Sequence, residues 1–315
     1  MIFNKPTPIR DGFGRALVEL GTINKDVVVL TADLSEAIRV HWFAERFPER
    51  FFQMGIAESD MMGTAAGLAI GGKIPFVTTF AAFATSLANT SVRVSVAYNQ
   101  ANVKIATSHG GVCVGGDGAT HQSIEDLALM RVLPGMTIVV PCDANEAWKA
   151  TLASAQHVGP LYLRLGRIAT PVFTDAKTPF TIGKANLLEK GEDLALLACG
   201  AMVGLALEAS QKLRKSHVQC RVINVHTLKP LDKTTILKAA KECGAIVTVE
   251  EHSVLGGLGA AVAELVTSHF PVPVERVGIQ DVFGESGEPE EILSKYGLTT
   301  QEVVKACKRA LKRKK

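Results

Sequence analysis

Apolar positions along the chain follow two alternating periods. Runs such as DVVVLTAD, IPFVTTF, VKIATSH, TIVVPC and LYLRLG are near-continuous apolar segments of strand length, and between them apolar residues recur at helical spacing. RDGFGRALVELG puts Phe13, Leu17 and Leu20 on one face and stops at Gly21. WFAERF, SLANTSVRVSVAYNQ, IEDLALMRVL and NEAWKATLASAQH read as further helices, and FFQM as a short strand. A second series follows, with strands in DLALLACG, VQCRVINV, AIVTVEEH and VPVERVGI and helices in VGLALEASQKLRKS, TTILKAAKEC, GLGAAVAELVTSHF and two closing segments. Strands apolar on both faces, each followed by a helix, predict an α/β protein of two domains, each a mainly parallel sheet flanked by helices. Between the two series RIATPVFTDAKTPFTIG loses the period and carries Pro171 and Pro179, so it reads as a linker.

The helix predicted in GIAESDMMGTAAGLAIGG raises a question of chemistry. Glu58 is followed at +3, +4, +7, +10 and +11 by Met61, Met62, Ala65, Leu68 and Ala69, so the acid heads the apolar stripe, whereas Asp60 falls on the other side. A first-turn Glu complements the helix dipole. A carboxyl at the head of a buried stripe can instead hold or share a proton in a dry pocket. Periodicity leaves both readings open.

Composition narrows the function classes. The formal net charge is +3 with 21% charged residues, which gives no broad basic field for nucleic acid. The cations of KACKRALKRKK sit at the end of a predicted helix, where they favour the dipole and solvate the tail. Six cysteines lack CxxC spacing and several lie in apolar strand segments, as expected of reduced thiols in a cytoplasmic protein. The N-terminus lacks a signal-peptide core and MMGTAAGLAIGG is too short to span a bilayer, so no membrane association is expected.

In open parallel sheets ligands bind at the carboxyl ends of strands. TADLS, TTFAAFATS and TSHGGVCVGGDGATHQ all fall there. The last carries His109, Asp117 and His121 in a glycine-rich loop whose backbone can approach a ligand closely. Those histidines could bind metal, move protons, or be satisfied by backbone. Phe80 and Phe83, three apart at a strand exit, are either core or a stacking platform for a planar ring. GDG at 116–118 with Asn145 has the spacing of a diphosphate–magnesium motif. However, GDG lies inside a longer loop and PCDANEAW reads as a strand end and helix cap, so no metal site is expected in this chain.

GIAESDMMGTAAGLA, TTFAAF, GGDGATHQSIEDLALMR, LKPLD and EEHSVLGGLGAAVAE, in that order, resemble the C-terminal half of transketolase over essentially the whole chain. More narrowly, the chain resembles the C-terminal subunit of a split, two-chain transketolase. The resemblance implies a pyrimidine-binding domain over 1–170, a linker over 171–190 and a transketolase C-terminal domain over 191–315. It implies thiamine diphosphate as cofactor. The acid matching Glu58 hydrogen-bonds a ring nitrogen of the aminopyrimidine and stabilises its imino tautomer, and Phe80 and Phe83 pack on that ring. Ser86 stands where the family often has a third aromatic. His121 matches a proton-transfer or hydrogen-bonding residue, and Asp117 the acid that reads the donor's C2 hydroxyl. His109, Arg10 and Arg164 match residues that bind the sugar phosphate, Arg164 having pairing with a neighbouring acid as its alternative. Ala37 replaces a phosphate-binding serine, and Asp33 matches an acid near the cofactor.

The diphosphate-binding half of the family is missing from these motifs. The resemblance therefore implies an N-terminal transketolase subunit as partner, which would hold Mg²⁺ or Ca²⁺, in an α2β2 heterotetramer acting on phosphorylated sugars. The same architecture serves deoxyxylulose-phosphate synthase and the β subunits of 2-oxo acid dehydrogenases. Gln122, where the synthase usually has a second histidine, favours transketolase. An inactive, partnerless binding module is the reading from another class, and the retained Glu58, Asp117 and His121 oppose it.

Overall fold

A computed structural model describes residues 3–314. In chain order the elements are β1 (Thr7–Pro8), α1 (Ile9–Ile23), β2 (Val27–Thr31), α2 (His41–Arg46), β3 (Phe51–Gln53), α3 (Glu58–Ile70), β4 (Ile74–Phe80), α4 (Asn89–Ser91), β5 (Lys104–Ser108), α5 (Asp126–Arg131), β6 (Thr137–Val139), α6 (Ala144–Gln156), β7 (Leu161–Arg164) and β8 (Ala169–Thr170). They continue with β9 (Asn186–Glu189), β10 (Leu194–Ala198), α7 (Val203–Arg214), β11 (Cys220–Asn224), β12 (Thr227–Lys229), α8 (Lys233–Cys243), β13 (Ile246–Ser253), α9 (Leu258–His269), β14 (Val274–Ile279), α10 (Pro289–Lys295) and α11 (Thr300–Arg313).

Two large sheets organise these elements, and β1 and β8 pair antiparallel as a small third one. The first has seven strands in the order β12-β6-β7-β5-β4-β2-β3, the second five in the order β14-β13-β10-β11-β9. Every pairing in the first sheet is parallel except β12 with β6, and in the second every pairing except β9 with β11. Central strands β2, β5 and β10 are buried at every position, as their unbroken apolar runs require of strands covered on both faces. Helix α6 starts on a capping box: Asp143 accepts from the Glu146 N–H at 2.8 Å, and the Glu146 side chain accepts from the Cys142 N–H. All six cysteines are buried and unpaired.

Three features depart from the predicted elements. Residues 186–189 lie in the stretch read as linker, yet they form β9 against β11. β12 follows β11 of the second sheet but pairs with β6 of the first, and one apolar cluster runs across the boundary through Ile138, Val140, Leu197, Ile223 and Val225. The helix read through SLANTSVRVSVAYNQ is interrupted: wide π-type turns at Phe83–Leu87 and Val92–Tyr98 flank the single turn α4. There Asn89 donates to the Thr85 carbonyl, and Asn99 to those of Val94 and Ser95. Such side-chain bonds compete with the regular ladder.

Candidate active site

The carboxyl ends of β4 and β5 bring four rings together. Phe80, the last residue of β4, stacks on His109 with centroids 3.9 Å apart and on Phe83 at 5.8 Å. His121 meets both phenylalanines edge-on, at 6.2 Å from Phe80 and 5.1 Å from Phe83. The parallel register puts Phe80 opposite Ser108, so His109 leaves its strand beside the aromatic pair. His109 has φ +61, a left-handed backbone that turns the chain into the glycine-rich loop.

Glu58 is the first residue of α3 and is 6% exposed. Thr79 donates to its Oε1 over a long 3.4 Å, the one side-chain hydrogen bond it makes among the described residues. Met61, Met62 and Ala65 beneath it are fully buried, whereas Leu68 and Ala69 are half-buried. The apolar stripe therefore holds in its first two turns, and the acid is buried at its head.

Each histidine is engaged through Nδ1: that of His109 with Ser108 Oγ at 2.7 Å, that of His121 with Thr120 Oγ1 at 2.9 Å. Burial, and then the positive charges of Arg10 and Arg167, push the pKa of His109 down to about 3. It is neutral at physiological pH. Arg10 donates to the Ala37 carbonyl at 2.9 Å, while its Nε is buried without a partner among the described residues. Burial, then Arg39, lower its pKa to about 10. Arg10, Asp33, Ser35, Ala37 and Arg39 line an open cleft of about 540 Å³. Asp33 is exposed there, and Asp117 is exposed on the glycine-rich loop.

Arg164 takes the alternative left open for it, a pairing with a neighbouring acid. It is 6% exposed inside β7, with Nε donating to Asp126 at 2.7 Å and Nη2 to the Glu251 carbonyl at 2.9 Å. Burial opposes its charge, but Asp126 outweighs burial and holds the guanidinium above its ordinary range. The Nε and Nη2 groups of the guanidinium are thereby committed to protein oxygens. Arg167, three residues on, donates to the Val114 carbonyl in the glycine-rich loop, and its charge acts on both His109 and Arg10. The available signal was position: Arg164 lies within the strand run and Arg167 beyond its carboxyl end, where ligands bind. Thr79 and Ser108, which touch Glu58 and His109, carried no signal of their own.

The transketolase pyrimidine-binding domain family model matches residues 5–172, more than half of the chain, and the transketolase C-terminal domain model matches 183–303. The chain belongs to the transketolase family. A 6-deoxy-6-sulfo-D-fructose transketolase subunit of a Clostridium species is 42% identical over 306 residues, 97% of this chain and 95% of the relative. An apulose-4-phosphate transketolase subunit of Phocaeicola vulgatus is 42% identical over 309 residues, 98% of each. The 1-deoxy-D-xylulose-5-phosphate synthase of Desulforudis audaxviator is 35% identical over 96% of this chain and 49% of its own length. A solved split-gene transketolase described as an inactive β4 tetramer superposes with a TM-score of 0.92 at 47% identity, covering 98% of this chain and 99% of its own. Among the described residues no helix is long and apolar enough to cross a membrane.

Proposed function

We propose that this chain is the C-terminal subunit of a two-chain transketolase that moves a two-carbon ketol unit from a ketose phosphate to an aldose phosphate with thiamine diphosphate. The observation that carries this reading is the convergence of a buried, sparsely bonded carboxyl with stacked aromatics and two histidines at the strand ends. Those residues fit an aminopyrimidine. Phe80 and Phe83 offer a face to a planar ring, and Glu58 offers a carboxyl in need of a polar partner in a dry place. When bound, the cofactor supplies the carbon nucleophile and takes up the electron pair of the broken bond.

This chain's residues then orient, neutralise and move protons. Glu58 shares a proton with a ring nitrogen. His121, with Nδ1 engaged by Thr120, keeps Nε2 for exchange with a substrate oxygen. Asp117 accepts from a donor hydroxyl, and Asp33 lies near the cofactor at the chain boundary. Neutral His109 donates to the sugar phosphate without adding charge, while Arg10, whose Nε lacks a partner among the described residues, and Arg167 supply the positive field. Ser35 lines the cleft where Ala37 replaces the family serine, and it is the hydroxyl nearest to hand for a phosphate oxygen.

The diphosphate and its Mg²⁺ or Ca²⁺ are assigned to an N-terminal subunit, two copies of each chain forming an α2β2 cytoplasmic enzyme of the pentose phosphate pathway. Near-complete coverage of relatives named as transketolase subunits supports the division. The division of labour proposed within the chain is 1–170 binding pyrimidine, 171–190 linking, although its last residues pair as β9 in the second sheet, and 191–315 as C-terminal domain. The test is co-expression with a chain carrying the diphosphate-binding domain, then assay of xylulose 5-phosphate plus ribose 5-phosphate with and without thiamine diphosphate and Mg²⁺. Cofactor-dependent ketol transfer is expected. Condensation of pyruvate with glyceraldehyde 3-phosphate instead would assign the chain to the synthase branch.

A further inference from the structure

The glycine-rich loop of the first domain is tied down by the second. Cys113 stands midway along it, four residues from His109 and four from Asp117, and its N–H donates to Glu251 Oε1 at 2.7 Å. Glu251 sits near the end of β13, in the other sheet, and is 6% exposed. The approach is close enough that a Cβ on Gly111, at φ +94, would lie 2.3 Å from that same oxygen, and one on Gly110 would lie 2.5 Å from Arg164 Nε. Three further bonds reach across. Gln122 donates to the Glu285 carbonyl as well as to that of Val112, the Ser253 N–H donates to the Ile124 carbonyl, and the Ala128 N–H reaches His252 Nε2 at 3.3 Å.

Within this strap the Glu251 carboxylate has a separable task. Arg164 bonds the main-chain carbonyl of Glu251, and takes its carboxylate partner from Asp126. The Glu251 side chain is thus free of that ion pair, and its acceptor goes to the loop. Burial raises its pKa, with Arg164 and the Cys113 N–H opposing. A carboxylate withdrawn from water stays there when it accepts hydrogen bonds that the loop's backbone would otherwise lack.

We propose that Glu251 is a positioning residue for the sugar-binding loop, fixing through the Cys113 amide the places of His109 and Asp117; the inference rests on the proposed ketol transfer for its functional consequence. Two conservative variants separate positioning from charge balance. Glu251→Gln keeps an oxygen acceptor within reach of Cys113 and removes the charge. Glu251→Asp keeps the charge beside Arg164 and withdraws the acceptor by one C–C bond, about 1.5 Å.

Amide hydrogen exchange on the full chain reads the loop without needing turnover. Positioning predicts that residues 110–117 lose protection by about tenfold in Glu251→Asp, as expected for one lost hydrogen bond, and retain it in Glu251→Gln, while the strand 194–198 is unchanged in both. In the reconstituted two-chain enzyme, KM for the ketose phosphate should rise about tenfold in Glu251→Asp and less in Glu251→Gln, with smaller changes in kcat. Protection lost in Glu251→Gln but kept in Glu251→Asp, unaltered protection in both, or loss spread over 194–198 would each overturn the proposal. Absence of ketol transfer in the wild-type complex would instead sink the functional reading and leave the exchange comparison to decide the loop.

Discussion

Glu58, Phe80 and the aromatic partner Phe83 stand at the head of α3 and the exit of β4, inside the first sheet's own framework, whereas His109, Asp117 and Arg167 stand on loops or beyond strand ends. One wall is held by the elements that carry it. The other depends on bonds from the second domain, through Glu251, Ser253 and Glu285. The contrast matches the tasks proposed for them: chemistry on a single invariant ring tolerates no displacement, while recognition of sugars of different length profits from a wall that can be re-set by its supports.

The comparison breaks first at Glu58. Glu58→Gln should lower ketol transfer by about 10²–10⁴-fold, with an unchanged melting temperature; turnover within tenfold of wild type would remove the carboxyl from the cofactor wall. Arg164→Ala should act on stability. It leaves Asp126 buried with the Tyr162 hydroxyl but without its countercharge, and a loss of about 3–5 kcal/mol is expected by denaturant unfolding; a stable variant with a raised KM would restore Arg164 to the phosphate site. Arg167→Ala is the converse, with KM for phosphorylated sugars raised about 10–100-fold and stability nearly unchanged, and equal KM values for phosphorylated and dephosphorylated donors in the wild type would remove its premise.

The smallest effect concerns pH. The folded chain keeps His109 unprotonated down to about pH 3, whereas unfolded it takes up a proton near its ordinary value of 6.5. The unfolded state therefore binds more protons in that window, and stability falls as pH is lowered from about 6.5 toward 3. His109→Asn, which tolerates the left-handed backbone, should flatten this slope in denaturant midpoints compared at pH 6.5 and 5; an unchanged slope would show that His109 is not held neutral.

The strands and most helices were legible because VVVLT, KIATS and LALLA are buried throughout, and burial on both faces leaves an unbroken apolar run. Glu58's burial was legible as one of two readings, since periodicity puts the acid on the stripe without saying what lies above it. Three things were not. TLK is too short to carry a period, so β12 is known only from its partner strand. The π-type turns depend on side chains that any helix could carry on its surface. Arg164 and Arg167 are chemically identical in RLGR, and only the end of β7, falling between them, sends one inward to Asp126 and the other to the glycine-rich loop at Val114.

β12 has a consequence for anyone dissecting the molecule. Cutting in the proline-bearing stretch near residue 180 would strip the seven-stranded sheet of its last member and leave β6 as a bare margin, with the Val140 amide deprived of the His226 carbonyl it now meets at 2.7 Å. Such a margin recruits strands from other molecules. A fragment ending there is expected to aggregate, and a chimera exchanging second halves between relatives would inherit the donor's β12 along with its α/β body. No single cut separates the halves of this protein, since β9 to β11 belong to the second sheet while β12, which follows them, completes the first.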